Sequence, residues 1–155
     1  MPKDKKFAIG ISYEDCTGCG LCANMCPGKG GNKALEMQKY DKQKFTNSDF
    51  EYLNDNKVNY ESNIINVKNL EFKEPKFEFS GACAGCGETA YIKNLTQLFG
   101  NNLMIANATG CSSIYSASFP ATAYNVPWAN SLFEDNAEFG LGMYEADNTM
   151  KERIK

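Results

Sequence analysis

Four cysteines, Cys16, Cys19, Cys22 and Cys26, stand in the run CTGCGLCANMC, with Pro27 directly after. The spacing C-x2-C-x2-C-x3-C-P is that of bacterial iron–sulfur proteins, in which three thiolates hold one cluster and the fourth serves a second. Another set follows downstream: Cys83 and Cys86 in GACAGCGE, and Cys111 in ATGCSS. Glycine-rich loops let the backbone close on a bulky ligand, and free N–H groups beside a cysteine can donate to cluster sulfur. A cubane cluster needs four thiolates. Each set here supplies three, and Cys26 belongs with ligands outside its own run.

Zinc is the competing reading. Cys83, Cys86, Cys111 and one further thiolate would make a tetrahedral site, whereas the 16–26 run is too specific in its spacing to favour zinc. The pair in AGCG also invites a thioredoxin-like reading but lacks the strand-then-helix setting. Histidine is absent. That excludes imidazole ligands and every Ser-His or Cys-His nucleophile pair. Seven cysteines are an odd count, which argues against a closed set of disulfides. The tight spacings and the lack of an export signal in MPKDKKFAIGIS predict reduced thiols in a cytoplasmic protein.

The elements that must position these groups fall in three zones. Residues 1–40 carry the four-cysteine run between two candidate strands, KFAIGIS (6–12) and ALEMQ (34–38), with the glycine loop PGKGGNK between run and second strand. Residues 41–79 form a polar connector, but Phe45, Phe50, Tyr52 and Tyr60 make it too aromatic for a free linker. It is expected to wrap over a neighbouring surface. Residues 80–155 read as an α/β unit. TAYIKNLTQLFG predicts a helix with Tyr91, Leu95 and Leu98 on its apolar face and Gly100 as the stop. NLMIANA (102–108) predicts a buried strand feeding the TGCSS loop. A long amphipathic helix is expected from Ser131, with Ser131 and Glu134 as a capping box, Phe133, Ala137, Tyr144 and Met150 inward, and Gly140 and Gly142 as soft spots. Trp128 and Phe133 are expected in the core.

The bulk numbers bound the partners. The chain has 155 residues and a formal net charge of −3, with no basic block of the kind that marks a nucleic-acid binder. No apolar run approaches the roughly 20 residues of a membrane span.

GACAGCGET, NATGCSSIY and PWANSLFEDNAEFGLGM, downstream of DCTGCGLCANMCPGKGGNKAL, together resemble pyruvate:ferredoxin (flavodoxin) oxidoreductase. The resemblance covers nearly the whole chain, in the expected order. It implies an α+β fold: half of a bacterial-type ferredoxin domain (1–40), the connector (41–79), and the first part of an α/β thiamine-diphosphate-binding domain (80–155). It implies that Cys16, Cys19 and Cys22 hold one 4Fe–4S cluster and that Cys26 serves the other ferredoxin cluster. Cys83, Cys86 and Cys111 would hold three corners of a cluster beside the thiamine. The missing ligands would lie in a first cysteine run upstream and a single cysteine far downstream.

By the same resemblance Glu88 lies close to the thiamine and positions it. A plain alternative for Glu88 is a carboxylate that complements a helix dipole. Thiamine diphosphate, Mg2+, coenzyme A and pyruvate belong to the complete enzyme, and ferredoxin or flavodoxin to its electron output. Two departures from the family stand out. Ala90 replaces the usual proline after GET, and NVP replaces a longer glycine-containing loop between Tyr124 and Trp128. No Gly-Asp-Gly magnesium motif is present. The chain is therefore expected to work only with the remainder of the enzyme or a partner subunit. The alternative is an isolated iron–sulfur carrier or a non-functional truncated fragment.

Overall fold

In the first sixty residues, short-range hydrogen bonds and a few aromatic contacts set the architecture. The structure, a computed structural model, describes residues 4, 6–58, 62, 64–116, 122–130 and 133–155. Helix α1 (Leu21–Met25) carries the third cysteine of the run, Cys22, and ends just before the fourth, Cys26. The chain enters it through Gly20 at φ +77°, a conformation that costs glycine little. Lys33 caps its far end: Nζ donates to the carbonyls of Ala23 (2.7 Å) and Asn24 (3.2 Å), which the helix leaves unpaired. Helix α2 (Ser48–Asp55) has Asp49 and Glu51 in its first turn, where carboxylates complement the dipole.

The candidate strands 6–12 and 34–38 form no ladder, and the first unit has no strand among the described residues. A strand needs a paired edge for its backbone groups. Here one of those groups finds another partner: the Ala34 N–H donates to Cys26 Sγ (3.2 Å). Just past the first stretch, Asn47 Oδ1 accepts the Tyr13 N–H (2.8 Å). The aromatic content of the 41–58 stretch is used within this unit. Phe45 packs on Tyr13 with ring centroids 5.0 Å apart, and Phe50 and Leu53 lie against Gly10. Tyr52 is exposed, and Tyr60 lies outside the described residues.

The chain divides into two units, Met1–Asn59 and Tyr60–Lys155. In the second, helix α3 (Val67–Leu70) is capped by the Asn66 side chain, which accepts the Asn69 N–H at 2.8 Å. Helix α4 (Gly87–Phe99) starts directly after Cys86 and ends at Gly100, φ +54°, so the expected stop is in place. Strands β1 (Ile105–Asn107) and β2 (Trp128–Asn130) pair in parallel, Ile105 opposite Trp128. Helix α5 (Cys111–Ser116) lies between them in sequence, and helix α6 (Phe133–Ile154) follows.

The core is Phe77, Tyr115, Ala123, Tyr124 and Val126, with Ala82, Ile92, Ile105 and Trp128 packed around it. Phe77 and Tyr124 form an isolated antiparallel bridge, and Glu78 N–H and Asn125 N–H bond across to Ala123 O (3.0 Å) and Lys76 O (2.8 Å). Phe77 thus enters the core from a segment bonded to residues 123–125.

Two expected faces are not the ones that pack. In α4, Tyr91, Leu95 and Leu98 are exposed while Thr96 and Gln97 are buried. The reason is polar: Thr96 Oγ1 accepts the Lys76 N–H (3.0 Å) and donates to Lys93 O (2.7 Å), and Gln97 Nε2 donates to Lys73 O (2.9 Å). These bonds turn the Thr96 side of the helix toward the 73–76 segment. In α6, Phe133, Ala137, Tyr144 and Met150 are exposed. The helix is anchored near its start instead, where Asn136 Nδ2 donates to Ala106 O on β1 (3.2 Å). Trp128 reaches the core as expected; Phe133 does not. Gly140 and Gly142 lie inside the helix without breaking it. Ser131, half of the expected capping box, lies outside the described residues.

Candidate iron–sulfur site

All seven cysteines are free thiols. Cys16 and Cys19 are exposed on a loop that turns through Gly18 (φ +70°) and Gly20 into α1, and Cys22 is exposed in the first turn of that helix. Cys26 is half-buried just past the helix end. Its Sγ accepts the Ala34 N–H at 3.2 Å. The Cys26 thiol is held below its ordinary pKa first by the Ala34 N–H, then by the Leu35 N–H. The Gly28 N–H and the Lys33 ammonium add to this, against an opposing desolvation effect. Hydrogen bonds to the charged form favour the thiolate, the species that binds metal.

Proximity explains the glycine at the start of PGKGGNK. A Cβ on Gly28 would stand 1.8 Å from Asn32 O. The loop from Pro27 to Lys33 folds back so tightly that only glycine fits, and this fold carries Ala34 to the sulfur.

In the second unit, Cys83 and Cys86 form a tight turn, with the Cys86 N–H bonded to Cys83 O at 3.0 Å and Gly85 at φ +75°. Cys86 is the N-cap residue of α4 and Glu88 lies in its first turn. Thr89 Oγ1 donates back to Cys86 O (2.9 Å). Cys111 opens α5. The loop before it is stapled by Ser113, whose hydroxyl accepts the Gly110 N–H (2.9 Å) and faces the carbonyls of Ala108 and Gly110, each at 3.0 Å. The second serine of TGCSS was the readable signal for this staple: hydroxyls near a glycine bond local backbone.

Tyr115 lies beneath this region and was not singled out from sequence. Its ring packs edge-on against Phe77, centroids 6.3 Å apart, and its hydroxyl is buried with no hydrogen bond of normal geometry. Burial, then the nearby Glu88 carboxylate, push its pKa well above the ordinary tyrosine value.

Among the described residues, no three His, Cys, Asp or Glu side chains converge into a ready-made metal cluster. The donors present are nonetheless soft thiols on glycine-bearing loops, one of them already bonded by backbone N–H. That donor chemistry fits iron–sulfur and, less selectively, zinc. No helix among the described residues is long and apolar enough to cross a membrane.

Residues 9–29, which contain the four-cysteine run, match the family 4Fe-4S binding domain. Similarity to whole proteins extends much further. The chain is 51% identical over 149 residues to a pyruvate-flavodoxin oxidoreductase of Enterobacter agglomerans, covering 91% of this chain and 12% of the relative. It is 53% identical over 149 residues to the pyruvate:ferredoxin oxidoreductase of Moorella thermoacetica, covering 89% and 12%. A pyruvate-flavodoxin oxidoreductase of Klebsiella pneumoniae is 46% identical over 162 residues, covering 98% and 14%. Along nearly its whole length the chain is thus similar to one segment of these oxidoreductases. It spans about an eighth of the length of the curated relatives it matches.

Proposed function

We propose that this chain is an iron–sulfur electron-transfer segment of a thiamine-dependent 2-oxoacid:ferredoxin or flavodoxin oxidoreductase, acting on pyruvate in the cytoplasm. The observation that carries this reading is the 4Fe–4S run at 9–29 within a chain whose similarity to such enzymes extends over about nine-tenths of its length.

Cys16, Cys19 and Cys22 would hold one cluster and Cys26 would serve a second. Cys83, Cys86 and Cys111 would hold a third, beside an α/β thiamine-binding region begun by residues 80–155. When bound, the clusters carry single electrons, and thiamine diphosphate with Mg2+ supplies the chemistry for oxidative decarboxylation of the 2-oxo acid to acetyl-coenzyme A. The chain's own residues have distinct tasks. The Ala34 N–H stabilises negative charge on Cys26 sulfur. The turn at Gly85 and the Ser113 staple fix the loops that present Cys83, Cys86 and Cys111. Glu88 would orient the thiamine from the first turn of α4. Ligands and domains beyond this segment, from the rest of the enzyme or a partner subunit, would complete each cluster and the cofactor site, and ferredoxin or flavodoxin would take the electrons.

Anaerobic reconstitution with iron and sulfide, followed by metal and sulfide analysis and electron paramagnetic resonance, tests the reading. Bound iron and sulfide in equal amounts, lost in air, are expected. Stoichiometric zinc with no sulfide overturns it.

A further inference from the structure

A basic strip follows the cysteine run. Between residues 28 and 45 five lysines (Lys29, Lys33, Lys39, Lys42 and Lys44) stand against two carboxylates, Glu36 and Asp41, in a chain that is acidic as a whole. Lys33 is committed to the end of α1. Lys39, Lys42 and Lys44 instead line one open groove of about 560 Å³, together with Tyr40 and Phe45.

The groove keeps its positive charge. Three ammonium groups there face one carboxylate, Asp41, whose Oδ1 accepts the Gln43 N–H at 2.9 Å. Among the described residues none of the three lysines is in an ion pair. Lys44 Nζ sits 5.1 Å over the Phe45 ring and 3.3 Å from Gln38 Oε1, contacts that place an ammonium without neutralising it.

The strip is also fixed beside the cysteine loop. Phe45 packs on Tyr13 at 5.0 Å, and Asn47 holds the Tyr13 backbone. Tyr13 lies three positions before Cys16. A groove this open does not desolvate a small anion, so the ligand it suits is a surface. Complementary charge on two protein surfaces steers rapid, weak encounters, and exposed aromatic rings such as Tyr40 suit the centre of such a contact.

We propose that the lysine lip formed by Lys39, Lys42 and Lys44, with Tyr40 and Phe45, is a docking face for an acidic electron-carrier protein. This rests on the electron-transfer reading of the cysteine run and assigns that run's partner a place. The lip delivers the acceptor to the side of the unit anchored to the loop of Cys16, Cys19 and Cys22.

The test uses the full chain and a purified acidic flavodoxin as the probe, with calorimetric affinity measured in two salt concentrations. Affinity is expected to fall at least about tenfold between about 20 mM and about 200 mM salt, as screening shortens the Debye length. Replacing all three lysines (Lys39→Glu, Lys42→Glu, Lys44→Glu) is expected to cost at least about tenfold at low salt. Lys151→Glu with Lys155→Glu, exposed residues in the last turn of α6 and just past it, is expected to cost less than about twofold. Lys42→Glu alone, at a side chain with no hydrogen bond or ion pair in the structure, reports the same direction should the triple variant fail to fold by circular dichroism. Flavodoxin that does not bind, unchanged affinity in both variants, or single-stranded DNA bound as tightly as flavodoxin overturns the docking face. Iron and sulfide content, measured separately, distinguishes this from failure of the underlying reading. Full clusters with unchanged flavodoxin affinity in the variants reject the lip alone; absent iron and sulfide reject the electron-transfer assignment.

Discussion

The backbone N–H of Ala34 donates to the sulfur of Cys26 at 3.2 Å, across a loop of seven residues. That bond is the first of several contacts that hold the Cys26 thiol below its ordinary pKa. A thiol whose pKa is lower folded than unfolded adds stability that is complete above the ordinary thiol range and is lost as pH falls through the folded midpoint. Alkylation of Cys26 by iodoacetamide, followed site by site with mass spectrometry, is expected to reach half-maximal rate at lower pH than in a short unfolded peptide of the same sequence. Ala34→Pro removes the N–H and is expected to move that midpoint upward. A midpoint in the folded chain at or above the peptide's contradicts the assignment.

Gly28 is held by space, since its φ of −56° suits any residue. A methyl group there meets the Asn32 carbonyl at 1.8 Å, and backbone must move to admit it. Gly28→Ala is expected to destabilise the 26–34 loop by about 1–3 kcal/mol, the range for overpacking. Hydrogen exchange of the Ala34 amide reports it: exchange should accelerate about tenfold or more, while amides of α4 should be unchanged.

Thr96 is fully buried and uses its hydroxyl twice, accepting from Lys76 N–H and donating to Lys93 O. Thr96→Val keeps the shape and orphans the Lys76 N–H. Urea unfolding monitored by Trp128 fluorescence should show a loss of about 1–3 kcal/mol, the cost of a buried donor left unpaired. Thr96→Ser keeps the hydroxyl and should lose less. Equal losses in the two variants would mean that packing, and not the hydrogen bonds, fixes this helix.

The fold resists ionisation of Tyr115, through burial first and Glu88 second. A tyrosine with a raised folded pKa contributes stability that is intact below the unfolded value of about 10 and is lost as pH climbs above it. Absorbance at alkaline pH should show one of the eight tyrosines titrating late, together with unfolding. Tyr115→Phe should remove that late component and flatten the alkaline fall in stability. A late component that survives in Tyr115→Phe assigns the effect to another ring.

How much of this was legible in the sequence depended on distance along the chain. The cysteine run, Pro27, the Gly100 stop and the glycine loops are local: a few covalent bonds fix which groups can reach one another, so spacing alone carried the iron–sulfur reading. The α4 face shows where locality fails. Tyr91, Leu95 and Leu98 make the better apolar stripe, yet Thr96 and Gln97 are the buried pair, because two backbone groups some twenty residues away needed their hydrogen bonds. The 6–12 and 34–38 stretches have strand-like patterns, but a pattern does not supply the second strand that would pair them.

The sequence by itself determined which side chains are soft donors, how they are spaced, and which oxidoreductases share the arrangement. Tertiary structure decided which thiol receives N–H groups, which residues meet in the core around Phe77 and Tyr124, and which lysines line one groove with Tyr40 and Phe45. The physical reason is that ligand identity and spacing are written in covalent geometry, whereas hydrogen-bond partners, burial and net local charge belong to groups that only folding brings together.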